Sequence, residues 1–194
     1  MANVDQPSGL TPIGTQSGAD FHGKLRRVEF AVGDATACFV GDVVRLTGTN
    51  NAAGTIPVVA QSTTAQDSVG VLVSLDADFA NESFQTPLTR AASTARTGLV
   101  AMGSDVLYVA QEDSDGGSIA AASGGLNINV AIGTGSDVTG SAMELDSSSA
   151  ADTVGHMLRL HHIYDAPDNA LGTNARWVVS INDHQDTAVV QTGI

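Results

Sequence analysis

The 194-residue chain is strongly acidic and poor in the side chains that most enzymes and nucleic-acid-binding proteins use. It has 21 acidic and 8 basic residues, a formal net charge of −13 and a pI near 4.3. Because phosphate contact needs clustered Lys and Arg, this composition excludes a typical nucleic-acid-binding protein and disfavours an anionic membrane as a partner. The length predicts one domain, with or without an arm, and a sizeable core.

Cysteine use and the N-terminal sequence restrict the class of protein further. Cys38 is the single cysteine, which excludes an intrachain disulfide and a cysteine-rich zinc site, and its apolar neighbours predict a small buried residue. The N-terminal residues form neither a basic nor an apolar signal region, and no run approaches the ~18 apolar residues of a membrane span. We therefore expect a protein that is made in the cytoplasm and has no membrane partner.

Residues 1–23 are predicted to form an extended N-terminal arm. Pro and Gly recur so often in this stretch that no helix or strand of useful length is expected. A disordered tail is the alternative that composition favours about as strongly. Leu10 and Ile13 favour a docked arm, because a free tail would gain nothing from two apolar side chains.

The remaining residues, 24–194, are predicted to form an all-β body. The first segment alternates between apolar residues and a second set that is mainly polar, as is typical of a strand with one solvent-exposed face: Val28, Phe30 and Val32 alternate with Arg27, Glu29 and Ala31. Residues 41–46 predict a second strand behind a Gly-Asp turn.

The next two predicted strands differ in their surroundings. Residues 55–60 are expected on a sheet edge, because Pro57 lacks a backbone donor. Residues 67–77 predict a strand with both sides in contact with protein, and four apolar residues alternate on one of its faces: Val69, Val71, Val73 and Leu75.

The second half of the chain continues in the same way. Residues 76–97, with Phe79 and Phe84, are predicted to be a long loop. Two strands are expected around Gly103-Ser104, and a further strand is expected in the alternating run 126–132. One helical turn is predicted near 143–145, and the last two strands are predicted in 156–164 and 175–183.

About nine short strands at intervals near ten residues predict a β-sandwich or β-barrel of jelly-roll type. No repeat of fixed period is visible, which disfavours a propeller or a solenoid.

The histidines form the first candidate for chemistry. His156, His161, His162 and His184 fall near the C-terminal strands, as a metal site would require. However, His161 and His162 are adjacent on a predicted strand and would project to opposite faces. Surface or interface histidines are therefore favoured over a zinc or iron site.

An acidic loop forms the second candidate. Asp113, Asp115 and Gly116 resemble the opening of a calcium loop, but Gly124 stands where an EF-hand has its bidentate Glu. The sequence predicts a solvated loop, with a weak cation site as the alternative. No dinucleotide loop, Walker lysine or nucleophile elbow is present, and we expect neither catalysis nor a cofactor.

Several segments in order resemble tailed-bacteriophage capsid decoration proteins, also called cement proteins. The resemblance rests on the opening MANVDQPSGLTPI, the strand GDVVRL, the segment VGVLVSLD, the acidic break EDSDGG, the stretch GTGSDVTGSAMELDSS and the ending APDNALGTNARWVVSINDH. It covers most of the chain, and its most specific part is the block D-N-x-x-G-x-x-A-R.

The resemblance implies a β-barrel or jelly-roll body on the outer surface of an icosahedral phage head. Such proteins commonly assemble as homotrimers and bridge neighbouring major capsid protein subunits, after synthesis in the host cytoplasm. Partner-binding candidates are the apolar residues of the arm, Leu10 and Ile13, and the cations at its junction with the body, Lys24, Arg26 and Arg27. A solvated strand face is the alternative for those cations.

Two other functions remain open from the sequence. One is a jelly-roll receptor- or carbohydrate-binding module of a phage tail or host surface, which would need exposed aromatic platforms in a chain with one Trp and two Tyr. The other is a cupin-like metal enzyme, which would need several histidines to converge inside a barrel.

Overall fold

The chain folds into a closed barrel and an open sheet that pack against each other. The computed structural model describes residues 3–77 and 87–187, which contain a single 3-10 helix, Ala121–Ser123, and otherwise only strands, turns and loops. The strands are β1 (Thr11–Thr15), β2 (Leu25–Phe30), β3 (Cys38–Phe39), β4 (Val43–Asn50), β5 (Pro57–Gln61), β6 (Gly70–Leu75), β7 (Thr89–Arg90), β8 (Arg96–Met102), β9 (Val106–Gln111), β10 (Asn127–Ile128), β11 (Val130–Ala131), β12 (Glu144–Leu145), β13 (Leu158–Ile163) and β14 (Arg176–Ile181).

The barrel closes in the strand order β2-β5-β4-β6-β8. Strands β2 and β5 are parallel, and the other neighbours are antiparallel. Apolar side chains pack together in a first core, among them Val28, Phe30, Val44, Val59 and Val100.

The open sheet has the order β1-β9-β14-β13-β10 and encloses a second core. Val43, Val71 and Ala101, from three adjacent barrel strands, join Tyr108 and Trp177 of the sheet in this core. The Tyr108 hydroxyl donates a hydrogen bond to the Ala101 carbonyl oxygen at 3.0 Å. The barrel wall therefore contributes side chains to two cores, and it fixes where the sheet lies.

The two strands predicted around Gly103-Ser104 are confirmed as β8 and β9, but they belong to different sheets. Strand β8 pairs with β2 and β6, whereas β9 pairs with β1 and β14. The short connection thus moves the chain from the barrel to the sheet. The two final predicted strands are confirmed as the antiparallel neighbours β13 and β14.

The prediction of an edge strand at Pro57 is wrong. Strand β5 lies between β2 and β4 in the barrel. Pro57 is its first residue, and the register of β4 against β5 is interrupted between Leu46 and Asn50. Proline is tolerated there because it begins the strand.

The face assignment for residues 69–75 is also wrong, although both sides of this strand do contact protein. A bulge between Leu72 and Ser74 shifts the alternation. Val71 and Val73 pack with the sheet core, whereas Val69, Leu72 and Leu75 pack with the barrel core.

Other local predictions need smaller corrections. The run 126–132 forms two short strands, β10 and β11, with different partners, and the helical turn predicted near 143–145 is strand β12. The predicted loop 76–97 contains β7 and the start of β8. Phe79 and Phe84 lie outside the described residues.

The all-β class and the β-barrel are confirmed. The jelly-roll topology is not confirmed, because the barrel has five strands and contains a parallel pair.

Strands β3 and β7 pair with each other outside the barrel ladder and bring a cation into the interior. Arg90 is fully buried, lies over the ring of Phe30 and forms an ion pair with Asp34 at 3.2 Å. Its guanidinium also donates hydrogen bonds to three backbone carbonyl oxygens, those of Ala31, Thr36 and Thr94. Cys38, opposite Arg90, is buried as predicted, and this burial raises the pKa of its thiol.

Replacing Arg90 should destabilise the protein strongly. We expect Arg90→Ala to lower the free energy of unfolding by about 3–5 kcal/mol, because it leaves Asp34 and three carbonyl oxygens without their donor. Arg26→Ala, a change on an exposed strand face, should stay within about 0.5 kcal/mol. Urea denaturation of the two variants compares them, and equal midpoints would contradict a structural role for Arg90.

Candidate functional site

Residues 3–15, here named the N-terminal strap, lie docked on the folded body. Asn3 donates hydrogen bonds to the carbonyl oxygens of Ala170 at 2.7 Å and Thr173 at 2.8 Å. In return its own Oδ1 accepts the Ala170 N–H at 2.9 Å. The start of the strap is therefore fixed to the turn between β13 and β14.

A buried glutamine at the end of β9 fixes the middle of the strap. Gln111 Nε2 donates to the carbonyl oxygen of Val4 at 2.7 Å and to that of Asn174 at 3.0 Å. Its Oε1 accepts the N–H of Gln6 at 3.0 Å. One side chain thus satisfies backbone groups on both sides of Asp5 and links the strap to the same turn.

The end of the strap is part of the open sheet. The N–H of Leu10 bonds to the carbonyl oxygen of Gly41 at 2.9 Å, and Leu10 is only 2% exposed in the sheet core. Residues 11–15 then form β1 against β9, with a register shift between Pro12 and Gly14. Docking is confirmed, whereas the prediction that no strand fits here is wrong, because an edge strand tolerates proline.

The strap forms one wall of a groove of about 630 Å³. The other walls come from the loop 136–140 and the turn 165–174. Three strongly exposed apolar side chains lie in or beside the groove: Val4 at 74%, Val138 at 84% and Leu171 at 51%. Exposed apolar side chains that cluster around a groove are typical of a surface that binds another molecule.

The turn beside the groove is built by the most specific block of the resemblance. Asn169 Nδ2 donates to the carbonyl oxygens of Tyr164 and Arg176 at 2.7 and 2.9 Å, and its Oδ1 accepts the Arg176 N–H. The Arg176 guanidinium pairs with Asp168 at 2.6 Å and lies over the Tyr164 ring. These residues shape the turn that receives Asn3.

Two of the three predicted cations already have partners within the chain. Lys24 pairs with Asp105, and Arg27 pairs with Asp76 at 2.8 Å. The hydrogen bond from Lys24 lowers the pKa of Asp105, and those from Thr97 and then Arg27 lower that of Asp76. Within the described residues, the exposed side chain of Arg26 has neither an ion pair nor a hydrogen bond, so among the three predicted cations it is the most available to a partner.

The predicted apolar candidates also separate. Ile13 is 37% exposed and remains available, whereas the Leu10 side chain is buried in its own chain. Sequence reasoning missed the groove residues Val4, Gln111 and Val138, because the walls of the groove come from segments that are far apart in the chain. The D-N-x-x-G-x-x-A-R block and the predicted arm were the two signals that pointed to this region.

The acidic loop after β9 is held by its own chain. Asp113 Oδ1 accepts hydrogen bonds from the N–H groups of Asp115 and Ser147 and from the Ser147 hydroxyl, at 2.7–3.2 Å. In the part of the chain that the structure describes, no group of three or more His, Cys, Asp or Glu side chains is placed to hold a metal ion.

The C-terminal histidines occupy separate environments. His161 Nε2 lies 2.9 Å from the Ser180 hydroxyl, whereas the adjacent His162 is exposed. His184 is 3% exposed, and its Nδ1 accepts the N–H of Asp186 at 3.1 Å. The prediction that His161 and His162 project to opposite faces is not confirmed: a bulge between Leu160 and His162 interrupts the alternation and pairs His162 with Val178, on the same face of β14 as Ser180.

The aromatic side chains offer no broad exposed platform among residues 3–77 and 87–187. Trp177 and Tyr108 are at most 1% exposed, and Tyr164 stacks with Arg176. No helix in this part of the chain is long and apolar enough to cross a membrane. No protein-family model, curated protein or solved structure matches the chain.

Two apolar residues of the strap should differ sharply in their effect on stability. Leu10→Ala should lower the free energy of unfolding by about 2–4 kcal/mol, because it leaves a cavity in the sheet core. Ile13→Ala, on the exposed part of the same strap, should cost less than about 1 kcal/mol. Thermal denaturation measures both, and an equal effect would contradict the docked position of Leu10.

Proposed function

We propose that this protein is a virion structural protein, a capsid decoration or cement protein that acts without catalysis. The observation that supports this most is the groove formed by the strap, the 136–140 loop and the Asp168–Arg176 turn. It joins the arm and the C-terminal block, two of the segments on which the resemblance rests. The groove is rimmed by exposed apolar side chains on an acidic molecule.

The chemistry of this surface suits a protein partner. Val4, Val138 and Leu171 would be buried in a complex, which favours association through loss of apolar surface from water. The chain's negative charge would favour a partner surface with Lys or Arg around apolar residues. In this proposal the partner is the major capsid protein on the outer surface of the head.

Assembly would strengthen individually modest contacts. A homotrimer presents the groove three times to a lattice of capsid subunits, so several weak contacts act together. A protein outside the shell needs no contact with nucleic acid or membrane. Because it binds only the assembled shell, it would stabilise that state by mass action.

The alternative is a receptor- or carbohydrate-binding module of a phage tail or host surface. Its support is the polar part of the groove, where Asn3, Asn174 and the Asp168–Arg176 pair supply donors and acceptors. The buried positions of Trp177 and Tyr108 weigh against it, because sugars are usually bound on exposed aromatic faces. Binding to immobilised glycans but not to heads would favour this alternative.

The cement function predicts more stable heads. Phage heads that carry the protein should release DNA at a higher temperature than heads without it, because a bridged joint gains up to several kcal/mol from a standard-sized interface. A DNA-binding dye followed during heating measures the release. Equal release temperatures would contradict the proposal.

The groove itself is tested by a matched pair of exposed valines. Val138→Asp should weaken head binding at least tenfold, because it places a charge in the apolar rim of an interface. Val154→Asp changes a valine that is 53% exposed and does not line the groove, and it should bind normally. Cosedimentation with heads measures both variants, and equal binding would place the interface elsewhere.

Arg26 is expected to supply the salt-sensitive part of attachment. Arg26→Gln should reduce the dependence of head binding on salt, whereas Arg26→Lys should preserve it, because both cations attract acidic groups. Binding isotherms at two salt concentrations separate the cases. An unchanged salt dependence in Arg26→Gln would remove this electrostatic contribution while leaving the groove untouched.

A further inference from the structure

The first part of the strap is held by hydrogen bonds and buries little apolar surface. Val4, Asp5, Gln6 and Ser8 are exposed, and apolar burial becomes strong only at Leu10. The anchors of this part are the Asn3 contacts to the 165–174 turn and the Gln111 contacts to Val4 and Gln6. Segments with so few buried contacts open locally at low free-energy cost.

Asp5 lies between the two backbone groups that Gln111 holds. The next residue of the chain after Gln111, Glu112, forms a bridge with Leu145, which directly follows Glu144, so the strap and Glu144 lie on either side of the same short stretch of chain. The charged groups that act on Glu144 of β12 are Asp5 of the strap and Asp113 and Asp115 of the loop after β9. All three are acidic. Two other carboxyls beside these elements are held by local donors: Glu112 by the Ile119 N–H and Asp146 by the Ser148 N–H and hydroxyl.

Glu144 lacks the local donors that Glu112, Asp113 and Asp146 have. Its Oε1 is buried and has no hydrogen-bond donor within the described residues. Burial, followed by the charges of Asp5, Asp113 and Asp115, raises the pKa of Glu144 to about 7. Glu144 is therefore neutral in mildly acidic solution and becomes negative near neutral pH.

We propose that Glu144 and Asp5 form a pH-sensitive latch that keeps strap residues 3–8 docked when Glu144 is neutral and loosens them when it is ionised. Ionised Glu144 repels Asp5, and opening of the strap relieves this repulsion and admits water to the buried carboxylate. The hydrogen bonds of Asn3 and Gln111 then compete with the repulsion. Strand β1 and the buried Leu10 are expected to stay in place.

The direction of the pH dependence follows from linkage. The pKa of Glu144 is raised in the docked state, so docking binds a proton more tightly than the open state does. Docking is therefore most favourable at low pH and weakens as the pH rises through the window between the ordinary value of 4.5 and about 7. Each unit by which docking itself raises this pKa corresponds to a tenfold change in the opening equilibrium.

The latch would control the shape of the candidate groove, because strap residues form one of its walls. In mildly acidic solution the docked strap would keep this wall of the groove in place. In alkaline solution the strap would detach more often and the wall would be lost. This inference concerns the isolated protein and does not depend on the proposed capsid function, which is tested on heads.

Amide hydrogen exchange of the full chain, followed by NMR and corrected for the intrinsic effect of pH, tests the latch. Between about pH 5.5 and about pH 8, the protection of the Gln6 and Ala170 amides should fall three- to tenfold, because their acceptors are Gln111 and Asn3. The Leu160 amide, bonded to Leu126 within the sheet region, should keep its protection. Constant protection at Gln6 across this range would overturn the proposal.

Three variants assign the effect to the two carboxyls. Glu144→Gln should abolish the fall at Gln6, because it removes the titrating group. Asp5→Asn should reduce the fall, because it removes the charge of the strap but leaves the burial of Glu144 and the charges of Asp113 and Asp115. Asp20→Asn is the matched control, because it removes the same charge as Asp5→Asn from an exposed position. Asp20 is not among the groups that act on Glu144, so the fall at Gln6 should persist in this variant. If Asp5→Asn, an exposed change that leaves the core intact, retains the full pH dependence, the latch is wrong.

Discussion

The architecture depends on three barrel strands, β4, β6 and β8, that are buried on both faces. Their inward side chains fill the barrel, and their outward side chains Val43, Val71 and Ala101 form the floor of the sheet core. Glycine is required where this wall is tightest: a Cβ at Gly70 would lie 2.2 Å from the Ala101 carbonyl oxygen. Because the two cores share this wall, a substitution that changes the packing of one core also shifts the strands that line the other. The position of the sheet therefore depends on the closure of the barrel.

Attachment of the N-terminal strap follows from this arrangement. Strand β9 is covered by β14 on one side and needs a partner on the other, which β1 supplies. The residues that precede β1 run to the 165–174 turn and make few apolar contacts. The buried side chain of Gln111 holds them there instead, through three hydrogen bonds to backbone groups of the strap and the turn. The strap is thus firm at Leu10 and weakly held at Val4, because its buried apolar contacts decrease towards its start.

The charge distribution gives the proposed interface its character. Lys24, Arg27, Arg90 and Arg176 form ion pairs with acids of the same chain, and because 21 acidic residues face 8 basic ones, an excess of acidic groups remains unneutralised. Negative charge at such a density keeps a protein soluble and favours basic partner surfaces. Together with the exposed valines of the groove, it favours the proposal that this surface binds a protein.

The sequence by itself determined the all-β class, the positions of β2, β8, β9, β13 and β14, and the burial of Cys38, because alternation and turn residues act over a few neighbours. It could not determine that Pro57 begins an interior strand, that a bulge after Leu72 turns Leu75 into the barrel core while Val71 lies in the sheet core, or that β8 and β9 enter different sheets. Those outcomes depend on pairings between residues far apart in the chain. The same holds for the groove: its residues were visible one by one, but only the tertiary structure brought Asn3, Gln111 and the Asp168–Arg176 turn together, because hydrogen bonds across more than 100 positions leave no local pattern.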